Sequence, residues 1–266
     1  MACKIGDDSA EFEDRESELI LAGAALRQSS LRLAEVPRFT RAATFRRWIQ
    51  SAALAGALAL ALLGSSRPAS AAIAYVQSAS QLPASATSIT VKYAAAQNAG
   101  DLNVVVIGWN NSTAAVNSVT DSMGNNYLVA VGPTKLANVA TQVIYYAQKI
   151  AAAAAGTNTV TVTFNSTVPF PDVRVLEYSG ISASAFDVGV GASGTSASTN
   201  SGSVTTENAN DLLVGANYIG GVFGAAGSGY TARVVTTPDS DLVEDQVVTS
   251  TGSYSATATQ TGSSWW

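Results

Sequence analysis

Histidine is absent from this 266-residue chain, and cysteine occurs once, at Cys3. A Ser-His-Asp triad, a Cys-His pair, a His-ligated zinc and a thiolate zinc site all need residues that are missing, so those chemistries are excluded. With no second cysteine, no intrachain disulfide can form, and apolar burial must carry the stability of any folded domain. Charge is also scarce, at 12% of residues. From residue 72 onward the cations are Lys92, Lys135, Lys149, Arg174 and Arg233 against eleven carboxylates, a net charge of −6. That balance has nothing to attract a phosphate backbone, and nucleic acid is excluded as a partner. Long apolar runs are missing too. Ala52 to Leu63 falls short of the roughly 20 residues that span a bilayer.

That short run has the layout of an export signal. Arg46 and Arg47 precede it, and Ala69-Ser70-Ala71 follows with the small residues a signal peptidase needs. The sequence therefore predicts three regions. Residues 1–45 are a poorly ordered or helical N-terminal extension, residues 46–71 the signal core and cleavage region, and residues 72–266 an exported domain with no stable membrane anchor after cleavage. The acidic cluster Asp7, Asp8, Glu11, Glu13, Asp14, Glu16 and Glu18 is an unusual start for a signal peptide. No methionine lies between Met1 and Met123, which raises a translation start at a non-Met codon near Leu33 or Val36.

Beyond residue 72 the hydrophobic pattern has a period of two. Val160, Val162 and Phe164 alternate with Thr159, Thr161 and Thr163, and Ile89, Val91 and Tyr93 alternate with Ser88, Thr90 and Lys92. These read as strands with one wet face. Leu102 to Trp109 is apolar on both sides and reads as a central strand. Asn98-Ala99-Gly100-Asp101-Leu102-Asn103-Val104 recurs as Asn208-Ala209-Asn210-Asp211-Leu212-Leu213-Val214, an offset of 110 residues. The fold class expected is all-β: a two-sheet antiparallel jelly-roll-like sandwich made of two pseudo-repeat halves. In that alignment the counterpart of Asp172 to Tyr178 would begin near Trp265, so the sandwich is expected to lack its final strand, with strand-mediated self-association as a consequence.

Asp101-Leu102-Asn103-Val104-Val105, Glu177-Tyr178-Ser179-Gly180, Phe186-Asp187 and Asp211-Leu212-Leu213-Val214 together resemble the extracellular jelly-roll-like β-sandwich modules of secreted bacterial proteins, which often sit beside immunoglobulin-like or fibronectin-like domains. The resemblance covers about residues 73 to 266. It implies a fold and an extracellular or cell-surface location, and it transfers no catalytic residues.

Candidate site residues follow from chemistry and position. Tyr127 and Tyr230 each follow a glycine turn and are the aromatics best placed to stand exposed and stack on sugar rings. Asp239, Asp241, Glu244 and Asp245 crowd four carboxylates into seven residues, a composition that suits Ca²⁺ or, with no ion, a solvated acidic turn. Glu177 is in phase with Val173 and Val175, so its carboxylate is expected among apolar side chains, with Lys92 or a backbone group as its partner, or else at a bulge. Gly189-Val190-Gly191-Ala192-Ser193-Gly194 matches a dinucleotide-binding string but opens no helix, so it reads as a loop joining the halves. The function expected is a secreted, non-catalytic binding or adhesion module that meets a glycan or a protein surface. The alternatives are a polysaccharide-active enzyme, pairing Glu177 with Asp172, Asp187 or an acidic-loop residue, and a structural spacer from a larger surface protein.

Overall fold

Every strand that positions the candidate site pairs antiparallel with its neighbours. The computed structural model describes residues 2–5, by their backbone, and residues 71–266 apart from 183, 263 and 266. These lie in one compact unit. Except for residues 2–5 and 71, the expected N-terminal extension and export segment fall outside the described residues. Among the described residues no helix is long and apolar enough to cross a membrane.

The first half holds two sheets. One has five strands in the order β2 (Ala74–Gln81), β9 (Asp172–Ser179), β4 (Leu102–Trp109), β7 (Ala140–Ala147) and β6 (Leu128–Leu136). The other has three, in the order β3 (Ser85–Lys92), β8 (Thr159–Pro169) and β5 (Val116–Asp121). The second half repeats the plan. Its five-stranded sheet runs β10 (Phe186–Val190), β1 (Ala2–Ile5), β13 (Asp211–Ala216), β16 (Leu242–Val248) and β15 (Thr231–Val235). Short strands cover it: β11 (Ser198–Asn200), β18 (Thr257–Gln260) and β14 (Phe223–Ala225) in one group, β12 (Val204–Thr205) and β17 (Ser253–Tyr254) in another.

The 110-residue repeat is thus a repeat of topology, with β4 matched by β13, β7 by β16, β6 by β15 and β2 by β10. The all-β, antiparallel expectation holds for the described residues, and the layering is deeper than two sheets. Its cause is visible in β4, where all eight residues are buried. Val105, Ile107 and Trp109 pack with Ile89, Val91, Val160, Val162 and Phe164 of the three-stranded sheet. Leu102, Val104 and Val106 pack instead with Leu212, Val214 and Ala216 of β13. A five-stranded sheet that is apolar on both faces needs a partner on each, and the two halves meet through equivalent faces. β3 and β8 alternate as their sequences predict, with Ile89, Val91, Val160, Val162 and Phe164 buried and Ser88, Thr90 and Lys92 exposed.

The glycine-rich string serves this packing. A Cβ on Gly189 would stand 2.6 Å from Val131 Cγ2 and 2.9 Å from the Ala130 carbonyl, so β10 can lie against β6 only where it lacks a side chain. Ala151 to Ala155 forms a connection in which Ala153 bridges Gln97 before the chain turns at Ala155 to Thr157.

Candidate functional site

A cleft of about 650 Å³ opens where equivalent loops of the two halves converge. From the first half it receives Asn110 after β4, Asn138 and Val139 between β6 and β7, and Phe170 between β8 and β9. The second half contributes Tyr218 to Gly221 after β13 and Asp239 and Asp241 between β15 and β16. Both inter-strand loops turn through a left-handed residue, Asn138 at φ 60° and Ser240 at φ 66°, which is how chains of this pattern reverse tightly.

Beneath the cleft lies a buried charge cluster that ties the halves together. Arg174 on β9 shares a face with Leu176 and Tyr178, so it crosses to the second half. Its Nη1 donates to the carbonyls of Asn217 (2.9 Å) and Leu242 (3.0 Å), and its Nη2 to Gln142 Oε1 (3.0 Å). Its Nε lies 3.2 Å from Asp172 Oδ2, with both side chains fully buried. Thr236 donates its hydroxyl to the same carboxylate oxygen, and Ile219 N–H donates to Asp241 Oδ1 at 2.7 Å. Burial raises the pKa of both Asp172 and Asp241, most strongly for Asp241, and Arg174 pulls both back. The two carboxyls lie close enough to influence each other's titration. Each carboxyl is thus drawn toward its protonated form by burial and back toward its anion by Arg174.

The aromatic wall of the cleft is fixed from below. Tyr218 donates its hydroxyl to the Phe170 carbonyl at 2.8 Å, and its ring lies flat over Gly108 of β4, where a Cβ would meet Cε2 at 2.7 Å. Burial raises the Tyr218 phenol above its ordinary range, so it remains a donor. Phe170 itself is 54% exposed and sits at φ 44°, a left-handed conformation that a bulky side chain adopts at a cost.

The residues singled out from sequence are distributed differently. Tyr127 is half-buried and belongs to a polar network at the opposite end of β4. Its hydroxyl donates to Asp121 Oδ2 at 3.0 Å and accepts from Asn103 Nδ2 at 3.1 Å. Asn158 closes that network by donating to both Asp121 Oδ2 and Gln97 Oε1. Tyr230, also half-buried, leads into β15 and lines none of the main cleft. Of the four clustered carboxylates, Asp239 and Asp241 line the cleft, whereas Glu244 and Asp245 lie within β16 and depart to opposite faces. Glu244 accepts from Gly227 N–H at 2.8 Å, and Asp245 pairs with Arg233 at 2.7 Å. Among the described residues no group of three or more acidic side chains is close enough to hold a metal ion.

Glu177 is fully buried, as its parity predicts, but its partner is not Lys92. Lys92 is exposed on the wet face of β3, and Glu177 Oε2 accepts from Gln77 Nε2 at 2.6 Å. The strand that carries Glu177 runs through it against β4 without a register shift, so the bulge expected there as the alternative is not found; β2 instead shifts register between Tyr75 and Gln77 and brings Gln77 opposite Glu177. Glu177 also faces Asp101, and burial raises both carboxyls. Asp172 stands at the far end of β9, so the structure does not assemble the Glu177–Asp172 pair that an enzyme reading would use.

Phe170, Asn110, Asn138 and the Asp172–Arg174 pair were not singled out from sequence as the heart of a site. One signal was available: Phe170 is a large aromatic held between Pro169 and Pro171, an unlikely place for a core residue. Comparison of the chain with protein-family models, with curated proteins and with solved structures returned no match.

Proposed function

We propose that this chain is an exported, non-catalytic binding module of jelly-roll type, and that the inter-half cleft takes a carbohydrate. The observation that carries the reading is Phe170. A large apolar side chain, more than half exposed and held at a positive φ, gains little for the folded state, and strain of this kind concentrates at binding sites. Phe170 lines the cleft together with Asn110, Asn138 and Asp239. A flat apolar ring flanked by hydrogen-bonding groups suits a sugar, which offers C–H faces and hydroxyls together. The strand orders support the jelly-roll description, since the first and last strands of the first half, β2 and β9, lie side by side. Extracellular location rests on the leader-like pattern of residues 46–71.

An enzyme working at this cleft would draw on Asp239 and Asp241, the carboxylates that line it. A glycan array followed by titration of the bound sugars separates the readings. The binding module retains a sugar without releasing reducing ends, and Asp239→Asn weakens retention. Release of reducing sugar that disappears in Asp239→Asn would favour the enzyme, and an array without a bound glycan would reject both.

A further inference from the structure

The cleft between the halves carries charge of one sign. Asp239 and Asp241 line it, and no lysine or arginine does. The cations from residue 72 onward are placed elsewhere. Lys92 and Lys149 stand exposed beyond its walls, Lys135 Nζ donates to the Ser112 carbonyl at 2.8 Å, and Arg233 pairs with Asp245. Arg174 lies beneath the cleft, committed to Asp172, Gln142 and two carbonyls. Asp172, Asp239 and Asp241 therefore share one guanidinium. Three carboxylates against one cation leave a net charge of −2, and a proton on either buried carboxyl leaves −1. No donor among the described residues reaches Asp172 Oδ1 or Asp241 Oδ2, so hydrogen bonds do not spend this charge locally. Its field is felt at the aromatic wall. After burial, the three carboxylates are what raise the Tyr218 phenol, and Arg174 offsets them only in part.

We infer that the cleft selects cationic amino sugars, taking an oligosaccharide whose free ammonium groups answer the carboxylates while its rings meet Phe170. The inference rests on the glycan reading of the cleft and adds the charge of the ligand. Each class of sugar meets a different balance of forces there. An acidic sugar brings like charge to Asp239 and is repelled. A neutral sugar can stack and hydrogen-bond, but it leaves the excess negative charge unanswered. A sugar with a free amine does both tasks, because the ammonium pairs with a carboxylate by a charge-assisted hydrogen bond and the C–H face remains available to the ring. The exposed face of Phe170 is itself attractive to a cation through its quadrupole. Asn110, Asn138 and Ser264, which line the same cleft, serve the hydroxyls.

Acetylation of the amine removes the charge and keeps the sugar, which gives a test that needs no variant. The probes are a glucosamine hexasaccharide, its fully N-acetylated counterpart and a lysine hexamer, titrated calorimetrically into the full chain at about pH 6, where free amines are protonated. The free-amine oligosaccharide should bind at least about tenfold more tightly than the acetylated one. Its advantage should shrink as salt rises from about 0.05 M to about 0.5 M, while the acetylated ligand responds little. The lysine hexamer has the ammonium groups without the rings and should bind at least about tenfold more weakly than the amino sugar. Asp239→Asn should lower the free-amine ligand to the level of the acetylated one, and Asp239→Glu should recover part of the difference. Equal affinity for the free and acetylated oligosaccharides, or a preference for the acetylated one, would overturn the inference and leave the glycan reading standing. Equal affinity for the lysine hexamer would overturn it by reducing the site to a general attraction for cations. If neither oligosaccharide binds while the array shows another glycan bound, the inference falls alone; a blank array removes the glycan reading with it.

Discussion

Replacing Arg174 by methionine should be among the most damaging single changes this domain can suffer, and the structure allows the loss to be sized. The guanidinium is fully buried, donates three hydrogen bonds, two of them to carbonyls of the second half, and lies 3.2 Å from the Asp172 carboxylate. Methionine keeps much of the side-chain volume and removes the charge, so the main effect is electrostatic. Asp172 would be left as an uncompensated buried anion, and losing one partner of a buried pair costs about 3–5 kcal/mol. In a domain of this size each kcal/mol lowers Tm by about 2–4 °C, so a fall of roughly 6–20 °C is expected in calorimetry. The penalty should depend on pH. Without Arg174 the pKa of Asp172 climbs further, protonation relieves the buried charge, and the variant should be less impaired at pH 5 than at pH 8. Asp172→Asn in the same background should recover part of the loss, because the orphaned charge is gone. Arg174 also links β9 to the loops of the second half, so the variant should melt in two resolved transitions. A single transition within about 1 kcal/mol of wild type at pH 8 would refute the buried ion pair and the coupling it is said to provide.

Other expectations follow from particular contacts. Gly108→Ala should destabilise by about 1–3 kcal/mol in denaturant titrations, because its methyl overlaps the Tyr218 ring, and Tyr218→Ala should remove most of that penalty. Asp121 accepts hydrogen bonds from Met123 N–H, Asn125 N–H, the Asn125 and Asn158 amides and the Tyr127 hydroxyl, so Asp121→Ala should cost about 1.5–3 kcal/mol by the same assay. Burial pushes the Glu244 carboxyl up from 4.5 to about 7. A folded pKa above the unfolded value means that its contribution to stability is complete below pH 4.5 and lost as pH rises through about 7; Glu244→Gln should flatten that decline.

Much of the scaffold was legible because strand burial writes itself as a period of two. The strands β3 and β8 show one wet face, β4 shows none, and the Asp101 and Asp211 turns announce two similar halves. The four-layer depth was less visible, since the short covering strands β11, β12, β17 and β18 carry few apolar residues each and look like loops. The candidate site was read less well. Proximity in sequence suggested one acidic cluster, but strand alternation sends Glu244 and Asp245 to opposite faces of β16. Tyr127 looked free because its turn is polar; its hydroxyl is anchored by Asp121, six residues earlier. Phe170 and Arg174 act through partners far away in sequence, and such contacts leave no local pattern.

The central claim is that Phe170 is kept for binding rather than for folding, and Phe170→Gly tests it directly. Glycine adopts the positive φ without strain, and the lost ring is mostly in solvent, so the thermal midpoint of the variant should equal or exceed that of wild type. Titration of both proteins with the glycan selected on the array should show the wild type saturating and Phe170→Gly losing at least about tenfold in affinity, equivalent to about 1.4 kcal/mol. Equal glycan affinity in the two proteins, or a clear fall in the variant's melting temperature, would contradict the account.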